Sequence, residues 1–216
     1  TYLKKNASKI RAIIIPHGHE DHFGALPFLP AEVKDTIYAT KLVTGFIEDK
    51  FKDYGIKGRK VNALNPEKDV LTFGVFKVTP FRTSHSVPDS AGFALDTPVG
   101  RIFHVSDYKF DWTPVDGRPF DVAKLALLAS RNSLALVSDC IGSTNQGYTQ
   151  SEKEIEKRIE EIVRKAKGQI FFTTISSNIS RMQQALNVGL RLGKKVVFVG
   201  RSVERKAQIA RKLGYL

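Results

Sequence analysis

The chain has 216 residues, 42% of them hydrophobic, enough for one large domain or for one domain and part of a second. Its single cysteine, Cys140, excludes an internal disulfide, no apolar run approaches the roughly 18 to 20 residues that span a bilayer, and the opening residues do not read as a signal peptide. Thirty-four Lys+Arg against 22 Asp+Glu give a net charge of +12, which suits attraction to a polyanion through release of condensed counterions; a solvated basic face is the other reading.

In chain order, Ile10–Ile15 reads as an apolar strand suited to a sheet covered on both faces. Thr36–Thr40 and Lys60–Leu64 are predicted strands around a helix from about Lys41 to Tyr54, ended by Gly55. Val70–Phe73 and Val75–Phe81 follow, separated by Gly74. Ala91–Asp96 and Arg101–Ser106 then flank a Thr-Pro-Val-Gly hairpin signal. A turn-rich loop (Asp111–Pro119), a short helix (Phe120–Ser130) and a buried strand (Ser133–Ser138) complete the first pattern.

From about Tyr148 the pattern changes. Thr149-Gln-Ser-Glu152 reads as a capping box for a helix with Ile155, Ile159, Ile162, Val163 and Ala166 on one face, closed by Gly168. Strand Gln169–Ile175, helix Ser180–Leu192, strand Lys195–Val199 and a helix from Ser202 form a β-α-β-α series that implies a parallel sheet. A domain boundary is placed near residue 147.

The strongest chemical signal is His17-Gly-His19-Glu20-Asp21-His22, on the turn leaving the first strand. His17 and His19, two apart in extended chain, point the same way, while Asp21 and His22 turn toward a second point close by. Neutral imidazoles and a carboxylate suit zinc or manganese. His85 and Asp107 each sit just past a strand, where sites gather, and a carboxylate at Asp107 can bridge two cations about 3.5–4 Å apart, a clamp that activates water for in-line attack on phosphorus. Four of the five histidines fall into this constellation; His104 reads as a structural neighbour of Asp107.

With those residues in view, His17–Leu29 resembles the metal-binding signature of ribonuclease J, a β-CASP nuclease of the metallo-β-lactamase fold. Ser84–Ser86 resembles that family's single-histidine motif and Ser106–Asp111 its bridging-aspartate motif. Thr113–Pro119, Leu136–Cys140, Ser176–Gln184 and Gly200–Ser202 also look like family segments. The resemblance implies an α/β fold: a partial αββα sandwich over residues 1–147, lacking its N-terminal strands, then the start of a β-CASP parallel-sheet domain over residues 148–216. Thr1 and the helical pattern running to Leu216 read as the ends of a fragment.

The resemblance implies two divalent ions, zinc first, with manganese or magnesium also accommodated. His17, His19 and His85 would hold one, Asp21 and His22 the other, and Asp107 would bridge; Asp139, matching the first acidic β-CASP motif, would orient catalytic groups or a ligand histidine. The implied catalytic residues are thus Asp21, Asp107 and Asp139. The implied activity is hydrolysis of RNA phosphodiesters, 5′-to-3′ exonucleolytic and in some members also endonucleolytic, on single-stranded RNA, in a cytoplasmic homo-oligomer without membrane attachment. Pro16 stands where a Thr is usual, and Val105-Ser106 where Thr-Gly is usual. Two rivals are a metallo-β-lactamase-fold hydrolase of DNA or a small ester, and a non-catalytic RNA-binding scaffold. At Gly200–Ser202, helix N–H groups that hold a phosphate and an ordinary strand–helix turn are both open. So are an RNA channel and solvated faces for the Lys/Arg-rich helices Lys153–Lys167 and Arg201–Lys212.

Overall fold

The computed structural model describes residues 2–34 and 36–216. After a short helix, α1 (Tyr2–Lys5), three strands, β1 (Ile13–Ile15), β2 (Ile37–Thr40) and β3 (Val61–Leu64), pair in parallel in that order. The predicted first strand is shortened at its start: it joins the ladder only from Ile13, and Arg11 is exposed. Helix α2 (Glu20–Phe23) follows β1, and helix α3 (Lys41–Asp53) joins β2 to β3, giving the crossover that parallel neighbours need. Gly55, at φ 63°, turns the chain where a side chain would be strained.

The second sheet runs β4 (Leu71–Phe73), β5 (Phe76–Arg82), β6 (Ala91–Thr97), β7 (Gly100–Ser106) and β8 (Ser133–Ser138). The first four are antiparallel neighbours, as their short turns require, and β8 adds parallel to β7 after the crossover helix α4 (Val122–Ala129). Strand alternation then divides the core into three layers of contact. Ile15, Ile37 and Ala39 face Leu42, Phe46 and Ile47 of α3 and residues of two later helices, α6 (Ile179–Arg191) and α7 (Arg201–Leu213). Ile14 and Tyr38, on the opposite face of the same strands, pack with Val78, Ala91 and Phe93 of the second sheet. Phe81, Ala94, Phe103 and Val105 point the other way, onto Phe120 and α4. Helices, sheet, sheet and helix therefore stack as an αββα sandwich.

Four sequence expectations are corrected. Strand β8 forms, but every residue in it is exposed, because it is an edge strand that no described layer covers. Helix α5 (Glu152–Lys165) is capped by Ser151 rather than Thr149, and ends before Gly168, with Ile162 exposed on its outer side. Residues 169–175 and 195–199 form no strands: among the described residues no backbone ladder pairs them, and Phe171, Val197 and Val199 are exposed. Without that ladder the expected parallel sheet between α5, α6 and α7 is not formed here.

What fastens α5 is polar. Asp111 accepts the backbone N–H of Glu152 at 2.8 Å and the hydroxyl of Ser151 at 2.8 Å, and Lys109 pairs with Glu152 at 2.9 Å. Glu152, Glu156 and Glu160, one turn apart, face Arg181, Asn187 and Arg191 of α6. Among the described residues no helix is long and apolar enough to cross a membrane.

Candidate metal centre

Four elements converge on one point. The turn after β1 supplies His17 and His19, and α2 supplies Asp21 and His22. The loop after β5 brings His85, and the turn leaving β7 brings Asp107. The first turn is drawn in tightly: a Cβ on Gly18 would lie 2.8 Å from the Phe46 ring, so only glycine lets the motif lie against α3. Pro16 O accepts the N–H of Ala91, tying the motif loop to β6.

The sequence-predicted donors fall into two groups that share a carboxylate. His17, His19, His85 and Asp107 form one; Asp21, His22 and Asp107 form the other. In the first, His17 Nε2 is 3.2 Å from His19 Nδ1, and that nitrogen is 3.1 Å from His85 Nε2. Asp107 Oδ2 is 3.6 Å from His17 Nε2 and 4.0 Å from His85 Nε2. Donors about 2.0–2.1 Å from a tetrahedral ion stand about 3.4 Å apart, so these spacings are those of a coordination shell. In the second group His22 Nε2 lies 3.5 Å from both Asp21 Oδ2 and Asp107 Oδ2.

Imidazole rings this close cannot all carry protons. Burial foremost, then the neighbouring rings of His22, His85 and His19, holds His17 down to about 2. Burial likewise draws His85 down to about 4 and lowers His19. Neutral rings with free lone pairs are what a cation needs.

Asp139 stands apart from both donor groups. Its Oδ1 accepts the N–H of Ile141 at 2.9 Å, and its charge acts on His85 from the turn after β8. His104 is exposed on β7, outside both groups.

Sequence reasoning overlooked several neighbours. Ser86 and Ser106 place hydroxyls on the rings of His19 and His17; a serine carries no periodic or spacing signal for such a role. Lys206 of α7 is buried, reaching Glu20 Oε1 at 3.2 Å and lying over the rings of Phe23 and Phe46. Arg205, partly exposed, pairs with Asp49 and Asp53 of α3, so two of the basic residues of α7 are engaged by carboxylates of the sandwich. At the start of α7 the Gly200 N–H is taken by the chain's own Glu204 carboxylate at 3.0 Å, and Ser202 bonds Ser176.

A family model described as "Beta-lactamase superfamily domain" matches residues 1–134, and one described as "Ribonuclease J, beta-CASP domain" matches residues 167–216. The chain belongs to the β-lactamase superfamily. It is 36% identical over its whole length to "Ribonuclease J" of Thermus thermophilus and 37% identical to "Ribonuclease J" of Helicobacter pylori. These ribonuclease J relatives are longer: the chain spans 39% and 31% of their lengths. A crystal structure of a protein of unknown function from Enterococcus faecalis matches with a TM-score of 0.62 at 16% identity, over 88% of this chain and 52% of that one, a likeness of fold.

Proposed function

We propose that this chain carries the metal-holding half of a hydrolase that cleaves phosphodiester bonds of single-stranded RNA, 5′-to-3′ as an exonuclease and with endonucleolytic cleavage as a second mode, in RNA processing and decay. The observation that carries the reading is two donor groups sharing one carboxylate, Asp107, in a chain whose relatives bear the name ribonuclease J. His17, His19 and His85 would hold one ion and Asp21 and His22 the other, with Asp107 a member of both donor groups. Residues 1–147 form the unit that carries these donors, and residues 148–216 begin the second.

Two divalent ions, zinc by donor type and manganese or magnesium as alternatives, would supply Lewis-acid polarisation of the phosphate and activation of water. The chain's own residues do the rest. Burial favours the neutral form of His17, His19 and His85. Asp107 places negative charge between the two groups, and Asp139, held by the Ile141 N–H, orients His85 through its charge. The net charge of +12 draws a polyanionic strand. A homo-oligomer in the cytoplasm completes the proposal.

The test uses the protein as its gene encodes it, with Asp107→Ala as control. It is incubated with 5′-monophosphorylated single-stranded RNA and with the matching DNA, in Mn²⁺ or Mg²⁺, and products are resolved on a gel. Stepwise loss of RNA that requires Asp107 and stops with chelator is the expected result. Cleavage of DNA alone would redirect the assignment to a DNA hydrolase; RNA bound but uncut would indicate a scaffold.

A further inference from the structure

His17 and His19 present different nitrogens to the first donor group: Nε2 from His17 and Nδ1 from His19, 3.2 Å apart. The other nitrogen of each ring faces away from the group, and in both cases it meets a serine. His17 Nδ1 lies 3.4 Å from Ser106 Oγ, and His19 Nε2 lies 3.1 Å from Ser86 Oγ. Among the described residues neither hydroxyl has another partner, whereas the nearby Ser84 and Ser90 hydroxyls bond backbone carbonyls. Ser106 is buried and sits at φ +61°, a left-handed conformation that non-glycine residues rarely hold. The β7 chain turns there, sending Asp107 to the donor group and leaving the Ser106 hydroxyl on the far side of the His17 ring.

A neutral imidazole has one N–H and one lone pair, and the partner of the N–H decides which nitrogen is free to bind. We infer that Ser106 and Ser86 are positioning residues that set opposite tautomers in His17 and His19, so that both lone pairs meet at one cation. Ser106 Oγ accepts Nδ1–H of His17, and Ser86 Oγ accepts Nε2–H of His19. The assignment rests on the metal-site reading above and extends it to the partners that orient its ligands, a role such groups commonly fill around bound ions.

The test compares the wild type with Ser106→Gly, Ser86→Ala and Ser86→Thr. Zn²⁺ affinity is measured by competition with a chromophoric chelator, and ¹⁵N-imidazole spectra report the tautomers of the zinc-loaded protein. Ser106→Gly and Ser86→Ala are expected to weaken Zn²⁺ binding by about 10- to 100-fold and to blur the tautomer signal of the ring each serves. Ser86→Thr, which keeps the hydroxyl, restores both. Ser106→Gly also relieves the backbone at φ +61°, so its metal-free form melts no lower than wild type, separating a loss of affinity from a loss of fold. Wild-type affinity and unchanged imidazole signals in both variants would overturn the serine assignment and leave the metal site standing. A wild type that takes up no Zn²⁺ would overturn the metal site and the assignment together.

Discussion

His22 Nε2 and Asp107 Oδ2 lie 3.5 Å apart, and the same carboxylate oxygen is 3.6 Å from His17 Nε2. The two histidines belong to different donor groups, so the carboxylate is their common member. Asp107→Ala is therefore predicted to weaken Zn²⁺ binding at both places, where His85→Ala weakens chiefly the first. Hydrolysis should fall by about a thousandfold or more, since such clamps contribute several kcal/mol. Calorimetric titration with Zn²⁺ checks the first statement and single-turnover rates the second.

Asp111 fastens α5 to the sandwich from a position some forty residues upstream. Burial alone would raise its carboxyl, but the N–H groups of Glu152 and Thr113, the Ser151 hydroxyl and the Lys109 ammonium outweigh it and hold it below its ordinary value. A lowered carboxyl contributes stability that is present above the unfolded value of about 3.9 and is lost as pH falls through the native one. Asp111→Ala should cost about 2–3 kcal/mol at neutral pH, a fall in melting temperature of roughly 5–10 °C. The gap between variant and wild type should narrow below about pH 4; a gap independent of pH would contradict the assignment.

Gly18 lies where a Cβ would come within 2.8 Å of Phe46 Cδ2 and 3.2 Å of Val87. Gly18→Ala is predicted to destabilise the protein by about 1–3 kcal/mol and to push the histidine turn off α3. Gly18→Ala with Phe46→Leu should recover part of the loss, because the ring is the nearest obstacle. Denaturant unfolding of the three variants measures it.

Glu20, inside the histidine motif, is shared by Lys50 of α3 and Lys206 of α7. Lys206 is buried but Glu20 is half exposed, so the pair is expected to couple by only about 1 kcal/mol. Glu20→Gln should cost more with Lys206 present than in a Lys206→Met background, since it leaves a buried ammonium without its carboxylate. A double-mutant cycle gives the coupling directly.

Much of this was legible in the residues. His17, His19, Asp21, His22, His85 and Asp107 stand out by type and by position after strands, and the structure brings them to one place. Less visible was whatever depends on a distant partner. Thr149 and Ser151 are both good caps, and Asp111, far upstream, selects Ser151. Residues 133–138 read as buried because they are apolar, yet burial depends on a covering layer that composition does not reveal. Residues 169–175 and 195–199 have strand-forming sequences, but a ladder needs a neighbour. Ser86 and Ser106 act through contacts 67 and 89 residues away, with no local pattern to mark them.

The central claim, that one carboxylate joins two cation sites, is tested most directly by anomalous diffraction from crystals grown with Zn²⁺. Two peaks about 3.5–4 Å apart are predicted, one among His17, His19 and His85, the other beside Asp21 and His22, with Asp107 between them. A single peak remote from Asp107, or none within the histidine cluster, would contradict it.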